Sequence, residues 1–577
     1  MRIDSIKQTT YISRTAVRTG KVQDGVQFRA KLNINKPVFA GITLSSVFAG
    51  IISFITEAQK QEKNETEKFI KLREKYTKKY APRKKRLNIA KWNMNTKPDK
   101  SALFLYIMAN RDLKNLHRNK SMYKKFAGID IQQLSQHDAI QLKTILNLFD
   151  DQLNNAELKV EVSRKEQSAK EKYINYALVI DNKQYTQIEL YNLFQMEKNP
   201  ELRKKAYEAL LKRGEFIAED LIEIIKIRND YAKAKGYNNY YDFVLREMYN
   251  TDSEYVSKLM EDVYSKIETK AAAIHKQRDE RLKELFGVEK LERYHYGLLP
   301  DSAPTRLTDE ILKNESIENI SKKVYAGMGY DIDKLVAEGR LTLDLYPRKY
   351  KNPGTFCSQI ESGKDVRILA NITNCSRSLE ALNHELGHCV YALGVSQDLP
   401  FLDRKPSSVV LTEAIALMMG DIKKKENILK GIVPDDVLQE YKDSLKNDEV
   451  ENLVRDLQIM TFEREIYKNP DQNPAELWAK LREKYINISA PADNEWADMP
   501  HYLNHPGYYQ NYFRAMLMKA QIYNYLHEVL GNITENPKTA EYMNKNIFSA
   551  GASVNEYNLI KQLTGKELGT EDFIKGL

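Results

Sequence analysis

Cysteine is scarce in this chain of 577 residues, with only Cys357, Cys375 and Cys389. That excludes a disulfide framework, and none of the three lies in a Cys-based zinc pattern. Cys357 and Cys375 could pair, the alternative being two buried free thiols. Glycine (24) and proline (17) are few, which excludes low-complexity and fibrous classes. Histidine numbers nine, so any clustering of it is informative. Negative charge is sparse at the front end. Residues 1–90 hold 20 Lys and Arg against 7 Asp and Glu, while the remainder holds 69 against 73. The basic character therefore belongs to the front end and the remainder is mildly acidic, and no nucleic-acid module stands behind it, so no nucleic-acid partner is expected.

Long apolar runs are missing but for one. Pro37 to Thr56 carries no charge and is near the roughly 20 residues needed to cross a bilayer. It lies too deep for an ordinary signal peptide, and Lys and Arg flank both sides, so the positive-inside rule gives no orientation. Residues 1–58 thus read as a basic leader whose segment 37–56 is a candidate membrane anchor, or else an apolar element docked on the body. A membrane-anchored or cell-envelope location follows from the first reading and a cytoplasmic one from the second.

What is present is helix after helix. Glu57–Lys79 is a charged amphipathic run, with Ala81-Pro82 as its expected end. Further runs cover 100–125, 131–176, 186–196, 199–235 and 239–286, broken at Gly128, Asn199-Pro200 and Gly236-Tyr237. Two β-like stretches, 354–360 and 365–372, flank the turn Glu361-Ser362-Gly363-Lys364 and predict a hairpin. Residues 59–577 read as one helical domain.

Immediately after that hairpin comes Asn383-His384-Glu385-Leu386-Gly387-His388. Two histidines four apart lie on one helix face and can close on one metal ion, with Glu385 beside them as a general base. Leu379, Leu382, Leu386, Val390 and Leu393 form a stripe on the opposite side. Ser376 is the expected N-cap and Gly394 the expected stop. A catalytic zinc ion takes three protein ligands and keeps one open position. Glu413, a carboxylate in an otherwise apolar helix stretch, is the third candidate, with Asp398 and Asp403 as alternatives. A second cluster lies at His501-Tyr502-Leu503-Asn504-His505-Pro506-Gly507-Tyr508-Tyr509-Gln510-Asn511-Tyr512. Pro506 reads as the first turn of a helix. His and Tyr are suitable donors to a developing oxyanion, although tyrosines also serve as ordinary packing in a chain with 35 of them.

These residues resemble a known group. HELGH followed by the Glu of TEAIALMMG is similar to the gluzincin arrangement, and HYLNHPGYYQNYF resembles the family of angiotensin-converting enzyme and bacterial peptidyl-dipeptidases. The thimet-type oligoendopeptidases are the nearest alternative. RNDYAKAKGYNNYYDF at 228–243, YHYGLLPD at 294–301 and DVRILANI agree. The resemblance covers roughly 60–575. It implies a mainly α fold, a two-lobed helical ellipsoid with a deep central channel and a small antiparallel β-sheet beside the zinc helix. It further implies one zinc ion on His384, His388 and Glu413, with Glu385 as base. His501 and Tyr512 would be oxyanion donors, with His505 as the alternative to His501. Tyr509, Tyr508, His505, Phe356 and Cys357 would bind substrate. The lysine that reads a substrate's terminal carboxylate is Met499 here, and the chloride-binding arginine is Asn511. The expected activity is hydrolysis of oligopeptides, dipeptidyl-carboxypeptidase-like or oligoendopeptidase-like. The alternative is a catalytically silent peptide-binding scaffold that retains the fold.

Overall fold

A computed structural model describes residues 44–153, 156–296 and 303–577. The chain divides into two units, Met1–Lys63 and Asn64–Leu577; the account below concerns the second. Most of the 1–58 leader lies outside the described residues, as do residues 37–43 of its apolar segment and Gly297–Asp301 of the YHYGLLPD stretch. Among the described residues no helix is long and apolar enough to cross a membrane.

The architecture is mainly helical. Helix α1, Leu44–Thr96, does not stop at Ala81-Pro82 but carries Pro82 inside it. A proline removes one backbone donor and usually kinks or ends a helix. Here tertiary contacts on both sides outweigh that cost. Tyr76 is buried in a small aromatic core with Phe69, Phe126 and Phe149, and Trp92 is buried in another with Ile360 and Leu369. Two long helices follow, α2 (Pro200–Ala234) and α3 (Ser253–Phe286), each opened by an N-capping side chain, Asn199 and Asp252.

Between α1 and α2 lies a hairpin with no counterpart in the sequence-based expectation: β1 (Leu178–Ile180) and β2 (Lys183–Tyr185). Its turn residues Asp181 and Asn182 both take positive φ, 48° and 64°, as a two-residue type I′ turn requires.

The second sheet has the order β3-β5-β4, formed by Leu341–Asp344, Phe356–Glu361 and Asp365–Leu369 (β3, β4 and β5). The expected hairpin is there, β4 pairing antiparallel with β5. The sheet as a whole is mixed and not antiparallel, because β3 adds to β5 in parallel register, Leu341 opposite Val366. That strand is four residues long and gains its pairing from chain folding through intervening segments, so its own sequence hardly marks it.

The hairpin tip sits against the end of the next helix, α4 (Ser376–Gly394): Gly363, at φ 78°, donates its N–H to the carbonyl of Ala392 at 2.7 Å. The Leu379, Leu382, Leu386, Val390 and Leu393 stripe of α4 is buried in the main core. Each such side chain contributes about 1.5–3 kcal/mol of transfer free energy. The N-cap is Cys375, without a side-chain hydrogen bond, and not Ser376. The first turn is served instead by Asp309, whose carboxylate accepts from the Ser376 N–H at 2.7 Å. Helix α5 (Val409–Lys425) lies along α4, and α6 (Asp435–Lys468), α7 (Pro500–Asn504) and α8 (Tyr509–Leu530) complete the surroundings of the site.

Candidate active site

Helices α4 and α5 meet through glycine. A Cβ at Gly387 would stand 3.0 Å from the Ala416 Cα and from the Met419 side chain, and one at Gly420 would meet Glu380 and the His384 Cβ at 3.4–3.5 Å. The backbones come close because α4 lacks a side chain where α5 passes, while at Gly420 a Cβ would make ordinary contact. That closeness brings Glu413 on α5 to the two histidines of α4. His384 Nε2 lies 3.5 Å from Glu413 Oε1, and His388 Nε2 lies 3.6 Å from Glu413 Oε2. The three ligand atoms all fall within 4.8 Å of one another. Tetrahedral ligands at zinc distances of about 2.0–2.1 Å lie about 3.3–3.4 Å apart, so the donor set suits that ion in both type and spacing. No fourth His, Cys, Asp or Glu joins the cluster among the described residues.

Each of these groups is tuned by its surroundings. Burial lowers the pKa of both histidines, His388 to about 3 with help from the neighbouring His384, so both imidazoles are neutral and able to ligate. Thr412, next to Glu413, sets the ring of His388 through a 3.0 Å contact from its Oγ1 to Nδ1. Metal-bound histidines commonly bond a second group in this way. Burial raises the Glu413 carboxyl to about 7. Glu385 is likewise pushed up to about 7 by burial, opposed by a hydrogen bond from the Cys357 backbone and assisted by the charge of Glu413. A carboxylate near neutrality, held by the edge strand β4, is poised to accept a proton. A divalent cation in the site would pull both carboxyls back down.

The three cysteines are free. Cys375 is not the neighbour of Cys357. The Cys357 sulfur lies 3.3 Å from that of Cys389, across the join between β4 and α4. Cys357 lines a cavity of about 1420 Å³ together with Thr412 and Asn511, the chain neighbours of Glu413 and Tyr512. The adjacent Phe356 packs instead toward Trp92, Ile360 and Leu369.

The His–Tyr segment forms a run of aromatic contacts. His501 meets Tyr509 (ring centroids 4.8 Å), Tyr509 meets Tyr512 (6.0 Å), Tyr512 meets Tyr508 (5.1 Å), and Tyr508 meets His505 (5.9 Å). Burial raises the Tyr512 hydroxyl to about 12, with Tyr508 and Glu413 adding to it. Glu413 also acts on Tyr508. Both tyrosines therefore stay neutral donors within electrostatic reach of Glu413. His501 is held neutral by burial and by His505. Pro506 does not open the helix. Pro500 opens the short α7, and α8 begins only at Tyr509. Between them Gly507 takes φ 68° and donates its N–H to Glu463 at 2.7 Å. A Cβ there would press on Leu245 and Val244 at 3.1 and 3.3 Å.

The residues that hold this turn had little signal of their own. Arg228, fully buried on α2, donates to the carbonyls of Tyr502 and Leu503 at 2.7 Å each, to the Tyr467 hydroxyl at 2.8 Å, and to Glu166. The neighbouring Asn229 bonds the Tyr467 carbonyl at 2.8 Å. The RNDYAKAKGYNNYYDF stretch thus fastens the turn. Asp456 on α6, raised to about 7 by burial against the pull of Arg455, acts on Tyr509 and Tyr512. Nothing in its flanking sequence marks it. Asn511, buried, shares its Oδ1 with Gln510 and Arg514.

Two histidines and a glutamate thus converge on a metal-sized gap within a helical body. The chain belongs to peptidase family M3, whose profile matches residues 193–577, more than half of it. The family supports the thimet-type oligoendopeptidase side of the resemblance. Among curated proteins it is similar to an oligoendopeptidase F homolog of Borreliella burgdorferi, 22% identical over 367 residues. That match spans 60% of this chain and 60% of the relative's length.

Proposed function

We propose that the chain is a zinc-dependent oligoendopeptidase that cleaves short peptides lying along β4. The observation that carries this reading is the convergence of His384, His388 and Glu413 beside Glu385, whose backbone partner Cys357 lines a large cavity. His384, His388 and Glu413 would hold the ion, which supplies Lewis acidity and a water acidified to near neutrality. Glu385 takes the proton of the attacking water and returns it to the leaving amine. Its backbone partner on Cys357 keeps the carboxylate aimed along the strand that the peptide joins. Strand β4 is the edge of its sheet, so an extended peptide can add to it by main-chain hydrogen bonds. Tyr512, with Tyr508 or His501, donates to the oxyanion as it develops. The hydroxyls remain protonated throughout the working pH range, so these donors cost no proton transfer.

Glu385→Gln tests the mechanism. Turnover of quenched-fluorescent peptides should disappear while zinc content stays at one ion per chain. Undiminished hydrolysis would refute the role of Glu385. A silent peptide-binding scaffold would bind the same peptides and cleave none, with or without zinc.

A further inference from the structure

The wall of the large cavity away from the candidate ligand cluster is rich in ammonium groups, three of which, Lys84, Lys91 and Lys405, stand in no ion pair among the described residues. Lys84 and Lys91 stand seven residues apart on α1, with Asn88 between them on the same face. The Asn88 amide donates to the carbonyls of Gln359 (3.0 Å) and Ile360 (3.3 Å) on β4. Consecutive carbonyls come within reach of one amide because the β4 register is irregular between Gln359 and Glu361. Asn88 therefore closes the free edge of β4 at that point. An extended peptide that starts on the strand beside Cys357 must leave the edge there, about two or three residues, or roughly 7–10 Å, along the strand.

At that exit Lys84 is surrounded by like charge. Its pKa is lowered by burial first, then by Lys91 and Lys405. Lys405, on the loop before α5, lines the same cavity, and burial lowers its pKa too, against the pull of Asp403. The carboxylates of the cavity wall are committed elsewhere. Asp403 is bound by His137 and Gln141. Glu361 is bound by Lys85 and Lys364. Glu247 accepts from Tyr237, and Glu556 lies against Arg514. No carboxylate lies within ion-pairing distance of Lys84, Lys91 or Lys405 among the described residues. Three converging ammoniums, two of them partly desolvated, cost the fold stability and bring it nothing. An anion in the cavity would reverse that sign.

We propose that Lys84, Lys91 and Lys405 form an anion subsite that binds a carboxylate of the peptide where it leaves the edge of β4, and so set the enzyme's specificity. The carboxylate is an acidic side chain or the terminal carboxylate, two or three residues from the scissile bond. The substrate assignment rests on the peptidase reading above; the anion affinity does not.

The test uses quenched-fluorescent peptides that differ only in Glu against Gln at each of three positions on either side of the cut, each with a free and an amidated C-terminus. Steady-state kinetics are measured on the zinc enzyme, and dissociation constants on Glu385→Gln. The anionic member of one pair should show a KM and a Kd about tenfold lower than its neutral twin, with kcat unchanged. That advantage should vanish in Lys84→Gln and in Lys405→Gln, survive in Lys84→Arg, and shrink in high salt. A Glu/Gln difference identifies the side chain; an acid/amide difference identifies the terminus. The subsite is overturned if no pair differs, or if the difference persists when both lysines are replaced. Lys405→Gln, on a loop, serves should Lys84→Gln fail to fold. If the wild type cleaves none of the peptides, the peptidase reading fails, and the binding constants still decide the subsite.

Discussion

On α4 and α5 the candidate ligands are placed by near neighbours: His384 and His388 by one helical turn, and Glu413 by a glycine contact between consecutive helices. The turn bearing His501, His505 and Tyr508 is placed from far away. Its carbonyls are held by Arg228, 274 and 275 positions earlier, and its glycine by Glu463, 44 positions earlier. The first half of the site is local geometry, and the second is tertiary fastening. The two should fail differently when perturbed.

The largest effect is expected from His388→Ala. Turnover should vanish and bound zinc should fall well below one ion per chain, with the aromatic segment still in place by near-ultraviolet circular dichroism. Retained zinc and activity would break the ligand assignment. Next comes Arg228→Met, which strands Glu166 and the carbonyls of Tyr502 and Leu503. Removing one partner of a buried charge pair costs about 3–5 kcal/mol. The melting temperature should drop by several degrees and kcat should fall, while zinc content holds. If zinc were lost in proportion to activity, the two halves would not be separable as argued. Tyr512→Phe should lower kcat about 10²–10³-fold, with zinc content unchanged and stability altered by less than about 1 kcal/mol.

The smallest effect is a pH slope. Burial raises Glu463 to about 7 in the folded chain, against an ordinary 4.5. A carboxyl raised on folding favours the folded state fully below its unfolded pKa, and that contribution is lost as pH rises through the folded value. The melting temperature should therefore decline between about pH 4.5 and 7 by more in the wild type than in Glu463→Gln, whose amide oxygen still accepts from Gly507. Equal slopes would place the titration elsewhere.

The same division explains what could be read from residues alone. HELGH at helical spacing, the leucine stripe behind it and a lone carboxylate among apolar neighbours are short-range patterns, and each points at its own structure. Pro506 misled because its neighbour Gly507 answers to Glu463 and not to helix propensity. Pro82 misled because Tyr76 and Trp92 are buried on either side of it. Strand β3 escaped because its pairing comes from β5, and the Asp181-Asn182 turn was passed over although its residue types do favour positive φ. Arg228 was visible only as part of a resemblance, with no chemistry attached to it.

The middle of the metal motif repays one more thought. Gly387 is an ordinary helical glycine, and glycine there costs a helix roughly 1 kcal/mol relative to alanine. What it provides is thickness, or the want of it: with a methyl group in its place, the Ala416 backbone and the Met419 side chain on α5 would have to give by a few tenths of an ångström. The letter that does no chemistry is a shim, machined to the width of the gap, and it sets how near the candidate ligands on either side of the joint can come. Transplanting this site into another scaffold would mean moving the joint and Gly387 with it, since the histidines and glutamate alone do not specify how far apart they stand.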